Sequence, residues 1–429
     1  MTRMKDSGIE WIGEVPEEWG LKPIKYLVST PVTDGPHETP TLYDEGIPFL
    51  SAESVKNGIL DSRYKRGYIS ETAHKIFSRK VSPQKNDIFI VKSGATTGNV
   101  GIVTTDEIFD IWSPLALVRT RSDLANQKFV YYFMLSDAFT KQIQNKWSFV
   151  TQQNIGMGVI EKIKLVVPSL DEQTQIANFL DKKVAQLDSV KSLLEEQIKT
   201  LEDYRKSLIY QTVTKGLDKT VSLKDSGVDW IGQIPEGWNV DRLGFHIYEI
   251  NEKNIPQKSD FILSLTNKDG VIPYEEKGNQ GNNSKDNLLD YKLAYPDTIV
   301  ANSMNILIGS VGYSNYFGCI SPVYYVFKER KGTNLRFVNY IMATQLFQKE
   351  LRKYANGILE IRLRVSSEDI LKRFCAFPSL SDQDKIVSYL DKRTNQINQM
   401  IAIKKEQIEN INKQRQTLIY DYVTGKRRL

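Results

Sequence analysis

The chain has 429 residues, too many for a single core and enough for two to four domains at roughly 150 residues each. Hydrophobic residues make up 40% and charged residues 25%, the balance of an ordinary folded protein, and no run of about 18 apolar residues could span a membrane. The net charge of +5 permits a nucleic-acid partner without requiring one; most of the surplus lies in segment 381–429, which leaves the rest close to neutral and argues against purely non-specific phosphate binding.

Met1-Thr2-Arg3-Met4-Lys5-Asp6 leads into no apolar stretch, so no secretory signal is expected. The first patterned segment is KDSGIEWIGEVPEEW, Lys5 to Trp19, and it returns as KDSGVDWIGQIPEGW, Lys224 to Trp238. Ten of the fifteen positions are identical at a constant offset of 219, which marks an internal repeat. The segments hold Trp11 and Trp19, then Trp230 and Trp238; these side chains either pack the segment onto neighbouring helices or meet a partner protein.

Segment 20–165 reads as mixed and mainly β. Short apolar runs at 47–50, 88–91 and 115–118 are separated by Gly, Pro, Asn and Asp turns, and the stretch 129–143 reads as helix. Basic residues interleave with aromatics at Arg63, Lys65 and Arg66, and again across 75–85; each cluster is either a solvated face or a nucleic-acid contact. Lys92 precedes the loop Ser93-Gly94-Ala95-Thr96-Thr97-Gly98-Asn99, which lacks the GK[ST] ending of a nucleotide-binding loop. Two readings remain: a tight turn between strands, or Ser93, Thr96, Thr97 and Asn99 set against a nucleic-acid backbone or base edges.

A helix opens at Pro168-Ser169-Leu170, with polar and acidic residues at its start. Its apolar residues follow a heptad: Leu180, Val184, Leu187, Leu194, Ile198, Leu201 and Leu208. The second half repeats this plan. Segment 240–375 is again mixed, with Asp297-Thr298-Ile299-Val300-Ala301 matching Asp87 to Val91, Val311-Gly312 matching Val100-Gly101, and a helix over 336–351. Its candidate nucleic-acid contacts are Asn302, Ser303 and Asn305 with the basic pair Arg362 and Arg364. PSLSDQDKIVSYLDKR from Pro378 matches PSLDEQTQIANFLDKK from Pro168 and opens a second coiled-coil helix with its seam at Leu390, Ile397, Ile401, Ile408, Ile411 and Leu418. The expected domains are 1–167, 168–217, 218–377 and 378–429.

Each seam is a narrow stripe that needs a partner, and the other half supplies one; a two-fold relation between the halves makes the pair antiparallel. A helix of about 35 residues is roughly 50 Å long. It acts either as a hairpin joining two domains or as a spacer whose length matters. Lys191, Arg205, Lys404 and Arg415 interrupt the seams, which weakens a core and helps fix its register.

Catalytic patterns are absent from the sequence. His37, His74 and His246 are scattered and form no metal-ligand spacing, so no metal site is expected. Cys319 and Cys375 belong to no CxxC pair, as for idle thiols in a reducing cytosol. No Pro-Pro pair exists for an amino-methyltransferase signature, and no nuclease, GxSxG or GxGxxG motif appears.

The repeated DSG-[IV]-x-WIG-x-[IV]-P-x-x-W segment and the repeated P-S-L-x-x-Q-x-x-I-x-x-[FY]-L-D-[KR] helix start resemble those of the specificity subunit of type I restriction-modification systems, over nearly the whole chain. The resemblance implies an α+β architecture of two mixed α/β target recognition domains separated by two long antiparallel coiled-coil helices in a pseudo-two-fold repeat. It implies a non-catalytic, cytoplasmic reader of double-stranded DNA in a bacterium or archaeon. Each domain would read half of an asymmetric bipartite site, and the helices would set the spacer and dock two methyltransferase subunits; restriction subunits join the same complex. S-adenosylmethionine, ATP and Mg would be bound by those partners. The alternative is a stand-alone sequence-specific or architectural DNA-binding protein.

Overall fold

The computed structural model describes residues 3–146, 148–149, 153–267, 270–278, 287–357 and 363–429. Its helices are α1 (Glu71–Phe77), α2 (Gln127–Leu135), α3 (Asp137–Gln144), α4 (Met157–Lys162), α5 (Leu170–Lys215), α6 (Leu335–Met342), α7 (Gln345–Arg352), α8 (Ser367–Leu371) and α9 (Leu380–Val423). The chain folds into two compact units: Met1–Leu194 with Glu406–Leu429, and Glu195–Lys405. Each unit therefore takes one globular segment, part of α5 and part of α9.

In the first unit a six-stranded sheet runs in the order Thr33–Asp34, Leu115–Val118, Ile88–Val91, Val100–Ile102, Ile59–Leu60, Val55–Lys56. The run Ile88–Val91 is apolar throughout because both faces of this central strand are covered. Ile88 and Ile90 join a core with Phe129 of α2, Phe139 of α3, Leu180 of α5 and Ile419 of α9. Phe89 and Val91 point the other way, to Leu50, Phe109 and Leu115. The second unit repeats the arrangement with four strands: Ile247–Ile250, Tyr324–Glu329, Thr298–Asn302, Val311–Ser314. Ile299 and Ala301 pack with Phe337, Phe347 and Leu390, while Val300 packs with Leu263, Leu265 and Ile320.

The helices expected over 129–143 and 336–351 each break into two, α2 with α3 and α6 with α7. Both pairs start on an asparagine cap. Asn126 Oδ1 accepts the N–H groups of Lys128 and Phe129, and Asn334 Oδ1 accepts those of Arg336 and Phe337. The shared Val-Gly pairs have a packing origin. A Cβ on Gly101 would stand 2.9 Å from the backbone carbon of Ile59, and one on Gly312 would stand 2.7 Å from Gly270 Cα. In both units a second strand crosses at backbone distance, and only glycine admits it.

The long helices are capped by Ser169 and Ser379, whose hydroxyls accept the N–H of Glu172 (3.3 Å) and Asp382 (3.2 Å). They run 46 and 44 residues, longer than the 35 or so expected. Their apolar faces continue past the heptads to Val213 and Val423, which are buried in the two main cores. Every predicted seam residue is at least half-buried: Leu180, Val184, Leu390, Ile397 and Ile401 fully, and Leu187, Leu194, Ile198, Leu201, Leu208, Ile408, Ile411 and Leu418 in part. Within each unit the two helices run antiparallel. In the first, Phe179 meets Tyr422 at 4.6 Å and Asp188 meets Arg415 at 3.5 Å. In the second, Lys404 Nζ donates to Gln197 Oε1 at 2.6 Å and Arg205 donates to Asn398.

The repeated tryptophan segments are hairpins clasped to the ends of these helices. The Tyr420 hydroxyl of α9 donates to the carbonyls of Trp11 (3.1 Å) and Ile12 (3.3 Å). The Tyr210 hydroxyl of α5 does the same for Trp230 and Ile231, both at 3.2 Å. Trp19 Nε1 donates to Glu172 Oε2 at 3.0 Å, and Trp230 stands edge-on to Phe347 with centroids 5.5 Å apart. Trp19, Trp230 and Trp238 are buried. These three side chains pack the segments in place, the first of the two readings, while Trp11 is half-buried.

The LD[KR] part of the repeat ties the globular segment to its helix. Asp181 receives the Tyr132 hydroxyl (2.8 Å) and the Lys128 ammonium (2.5 Å). Asp391 receives the Tyr340 hydroxyl (2.7 Å) and the Arg336 guanidinium (3.0 Å). These bonds tie α2 to α5 in the first unit and α6 to α9 in the second.

Candidate nucleic-acid interface

In both units several of the predicted polar residues lie where the central strand ends. In the first unit, Lys92 follows Val91, Asp34 pairs with Ala116, and the turn 112–114 leads into Leu115, which pairs with Val91. Backbone bonds lock these loops together: Ser113 N–H to Pro36 O at 3.1 Å, Lys92 N–H to Pro114 O at 2.8 Å, and Gly94 N–H to Gln153 O at 3.2 Å. One continuous surface results, made from segments that are far apart in sequence.

The loop 93–99 is a tight turn. Gly98 N–H returns to Val91 O at 2.7 Å, and Asn99 N–H donates to Thr96 O at 3.1 Å. Thr97 is buried, and its hydroxyl donates to Gly94 O (2.6 Å) and Gln153 O (3.1 Å). Thr97 therefore builds the turn and cannot meet a base. Thr96 and Asn99 are exposed on it and Ser93 is half-exposed, so the turn presents a polar rim.

The basic residues of this surface are held by neighbours. Asp34, 1% exposed, takes Lys80 Nζ at 2.7 Å on Oδ1, and its Oδ2 lies 3.1 Å from Lys92 Nζ and 3.0 Å from His37 Nε2. Burial alone would push the Asp34 carboxyl up, but Lys80 and Lys92 outweigh it and hold the group below the ordinary carboxylate value. The Arg66 guanidinium lies 4.4 Å over the Trp112 ring, with Nε 3.3 Å from Glu53. Arg63 forks onto Asp61 at 2.6 Å, and Lys65 Nζ lies 4.8 Å over the Tyr68 ring. Arg66 and Lys92 thus belong to the loop surface, joined by Asp34, His37, Lys80 and Trp112. The basic span 75–85 is the trace that Lys80 leaves in the sequence.

The second unit offers different chemistry at the corresponding strand end. Asn302 and Ser303 are buried: Asn302 Oδ1 accepts Met304 N–H at 3.0 Å, and Ser303 O accepts Val365 N–H at 3.0 Å. They shape the turn, which corrects their assignment as contacts; Asn305 remains exposed on it. Arg364 is exposed and its backbone pairs with Asn356, whereas Arg362 lies outside the described residues. Lys292 Nζ donates to Tyr324 O at 3.0 Å, opposite Asn302. The frame is shared and its rim differs.

Among the described residues no group of three or more His, Cys, Asp or Glu could hold a metal ion, and no helix is long and apolar enough to cross a membrane.

Residues 31–200 match the family model described as Type I restriction modification DNA specificity domain. Two proteins of Methanocaldococcus jannaschii are similar over the whole chain. The type I restriction enzyme MjaVIII specificity subunit is 24% identical over 97% of this chain and 94% of its own length. The putative type I restriction enzyme MjaX specificity subunit is 24% identical over 97% and 96%. Among solved structures, a chain from a study of assembly and conformational transition of the type I R-M system superposes with a TM-score of 0.69 at 14% identity, covering 95% of this chain and 98% of that one. The HsdS subunit from Thermoanaerobacter tengcongensis gives a TM-score of 0.50 at 15% identity, over 96% and 98%. With a duplicated sheet frame, paired long helices and relatives matched from end to end, the chain is similar over nearly its whole length to type I restriction-modification specificity subunits.

Proposed function

We propose that this chain is the DNA-specificity subunit of a type I restriction-modification complex, a non-catalytic reader in which each recognition domain contacts one half of an asymmetric bipartite site. The observation that carries this reading is the same sheet frame built twice with different residues at its loop end: Lys80, Lys92, Arg66 and Asn99 in one unit, Asn305 and Lys292 in the other. An identical pair of rims would read a palindrome; two different rims read two different sequences. Direct base readout needs donors and acceptors in a fixed frame, and the buried turn residues Thr97, Asn302 and Ser303 supply that frame.

The partners of this reading are double-stranded DNA, two methyltransferase subunits and the restriction subunits. S-adenosylmethionine, ATP and Mg are bound by those subunits, and the complex works in the cytoplasm. The paired helices set the spacer between half-sites and carry the methyltransferase subunits. Methylome sequencing of cells expressing this chain with its methyltransferase tests the reading. A bipartite motif with an unread spacer and unequal halves is expected; a continuous or fully palindromic motif overturns it. Replacing segment 240–375 by another recognition domain should change one half-site alone. Adding a heptad to both helices should lengthen the spacer or abolish methylation, and an unchanged spacer would refute the ruler role.

A further inference from the structure

We propose that Asp34 is a positioning residue that holds Lys80, Lys92 and His37 as a clamp for one DNA phosphate of the first half-site. The inference rests on the DNA-reading role proposed above and names residues and a ligand group within it.

Three segments far apart in sequence converge on one carboxylate. Lys80 arrives from the turn after α1, Lys92 from the end of the central strand, and His37 from the loop after Thr33–Asp34. A buried carboxylate needs one well-placed cation to offset its desolvation. Here two lysines share it, so one positive charge is left over, and the His37 ring adds a nitrogen beside them. The side chains are graded from inside to outside: Lys92 is 13% exposed, Lys80 43% and His37 70%. Lys92 is thus the innermost, mostly covered anchor, while Lys80 and His37 face solvent. Lys80 Nζ spends two of its three donors, on Asp34 and on Gly35 O at 2.9 Å, which leaves one to point outward.

A phosphodiester suits such a site. It carries one negative charge and two acceptor oxygens, and a lysine held in place acts on it as a point charge. Lysines already ordered by Asp34 lose less freedom on binding than free surface lysines. The neighbours fit a backbone contact beside a base-reading rim: exposed Thr96 and Asn99 lie on the adjoining turn, and Arg66 is stacked on Trp112. The corresponding strand position in the second unit holds Ile250, which pairs with Val326 as Asp34 does with Ala116, so the clamp belongs to the first half-site only.

The test uses the complex of this chain with its methyltransferase subunits, bound to a duplex carrying its methylated motif over a series of salt concentrations. Lys80→Gln, at a partly exposed position, should weaken binding roughly three- to tenfold at low salt. It should also make the slope of log K against log salt shallower by about 0.9, the signature of one lost phosphate contact. The methylated motif should stay the same, because phosphate contacts carry no base information. Asp34→Asn separates positioning from bulk charge. It makes the protein more positive, so a diffuse charge effect predicts tighter binding, whereas loss of positioning predicts weaker binding; a thermal melt checks that the variant is folded.

An unchanged slope for Lys80→Gln, in a complex that still binds its motif, overturns the clamp and leaves the specificity role standing. A change of base preference in the first half-site overturns the phosphate assignment. If the wild-type complex does not prefer its motif over unrelated duplex, the specificity reading fails and the clamp with it.

Discussion

Gln173 and Asn126 are joined through the side-chain oxygen of the glutamine, which accepts the Asn126 backbone N–H at 2.8 Å, while Gln173 Nε2 donates to Pro168 O at 2.9 Å. Gln383 makes the same two contacts with Asn334 (2.8 Å) and Pro378 (3.1 Å). The glutamine of the repeated Pro-Ser-Leu motif thus stitches the start of a long helix to the cap of a recognition-domain helix, once in each unit. Both amides are 1% exposed.

Truncating Gln173 or Gln383 to alanine strands a buried N–H and a buried carbonyl, and each orphaned group costs about 1–3 kcal/mol. Each variant should unfold earlier in urea by roughly 2–4 kcal/mol. Glutamate in the same place would still accept from the asparagine N–H but could not donate to the proline carbonyl, and it should recover only part of the loss. Wild-type unfolding curves for both alanine variants would show that the motif is kept for a reason outside this junction.

The same result separates what the sequence made legible from what it hid. The two-fold repeat, the helices and their seams were readable because heptad spacing and a constant offset are one-dimensional signals. Packing explains why those positions recur: Gln173, Asp181, Trp19 and their counterparts all hold a globular segment to a helix. The site was harder. Thr97, Asn302 and Ser303 have the composition of base-reading residues but are spent on their own turns. Asp34 carries no such signal, since a lone acid in a Gly-Pro loop gives no sign that lysines 46 and 58 positions onward will meet it.

Two buried carboxylates of the first unit should respond to pH in opposite senses. Asp34 is held below its ordinary pKa, so its contribution to stability is full at neutral pH and is lost as pH falls through the folded value, below about 3.8. Asp110 is raised by burial, a shift only partly countered by His74, whose Nδ1 stands 2.6 Å from Oδ2. Its contribution is present below the ordinary carboxylate value and lost as pH rises through the folded one, so ionised Asp110 is a cost at neutral pH. Asp34→Asn should therefore destabilise at pH 7 by roughly 3 kcal/mol, since it leaves Lys80 and Lys92 without their counter-charge. Asp110→Asn should be more stable than wild type at pH 7, with the gain fading below about pH 4. Melting temperatures across pH 3–8 would check both, and parallel curves for the two variants would contradict the assignment.

Glycine at 101 and 312 keeps the crossing strand at backbone distance, and the contact is tighter at 312. Alanine should cost about 1–3 kcal/mol at either position, more at Gly312, because the atoms it meets are backbone and cannot rotate away. Unfolding midpoints would show the order; a neutral Gly312→Ala would mean that the hairpin Leu263–Thr266 with Gly270–Pro273 shifts freely.

The seam between α5 and α9 carries a further expectation, because its polar and apolar members contribute in different ways. Ile401 is buried on the seam face of α9, and Ile401→Ala should cost about 2 kcal/mol, at the low end for a deleted core side chain since the seam is narrow. Lys404, three residues on, occupies a seam position but spends its charge on a hydrogen bond to Gln197 at an exposed edge, which is worth less than about 1 kcal/mol. Lys404→Leu would place an apolar side chain between Ile401 and Ile408 and should raise the melting temperature. The bond it removes acts on register: with Arg205 to Asn398 and Arg415 to Asp188, it pins α5 against α9 at points where leucines alone would tolerate sliding. Replacing Arg205, Lys404 and Arg415 together by leucine should therefore give a more stable chain whose helices no longer hold one alignment. Cysteine pairs placed at Phe179 and Tyr422, which face each other across the two helices, and at neighbouring offsets would report this by which pair cross-links. A triple variant that melts higher and still cross-links at a single offset would show that the apolar seam alone sets the register.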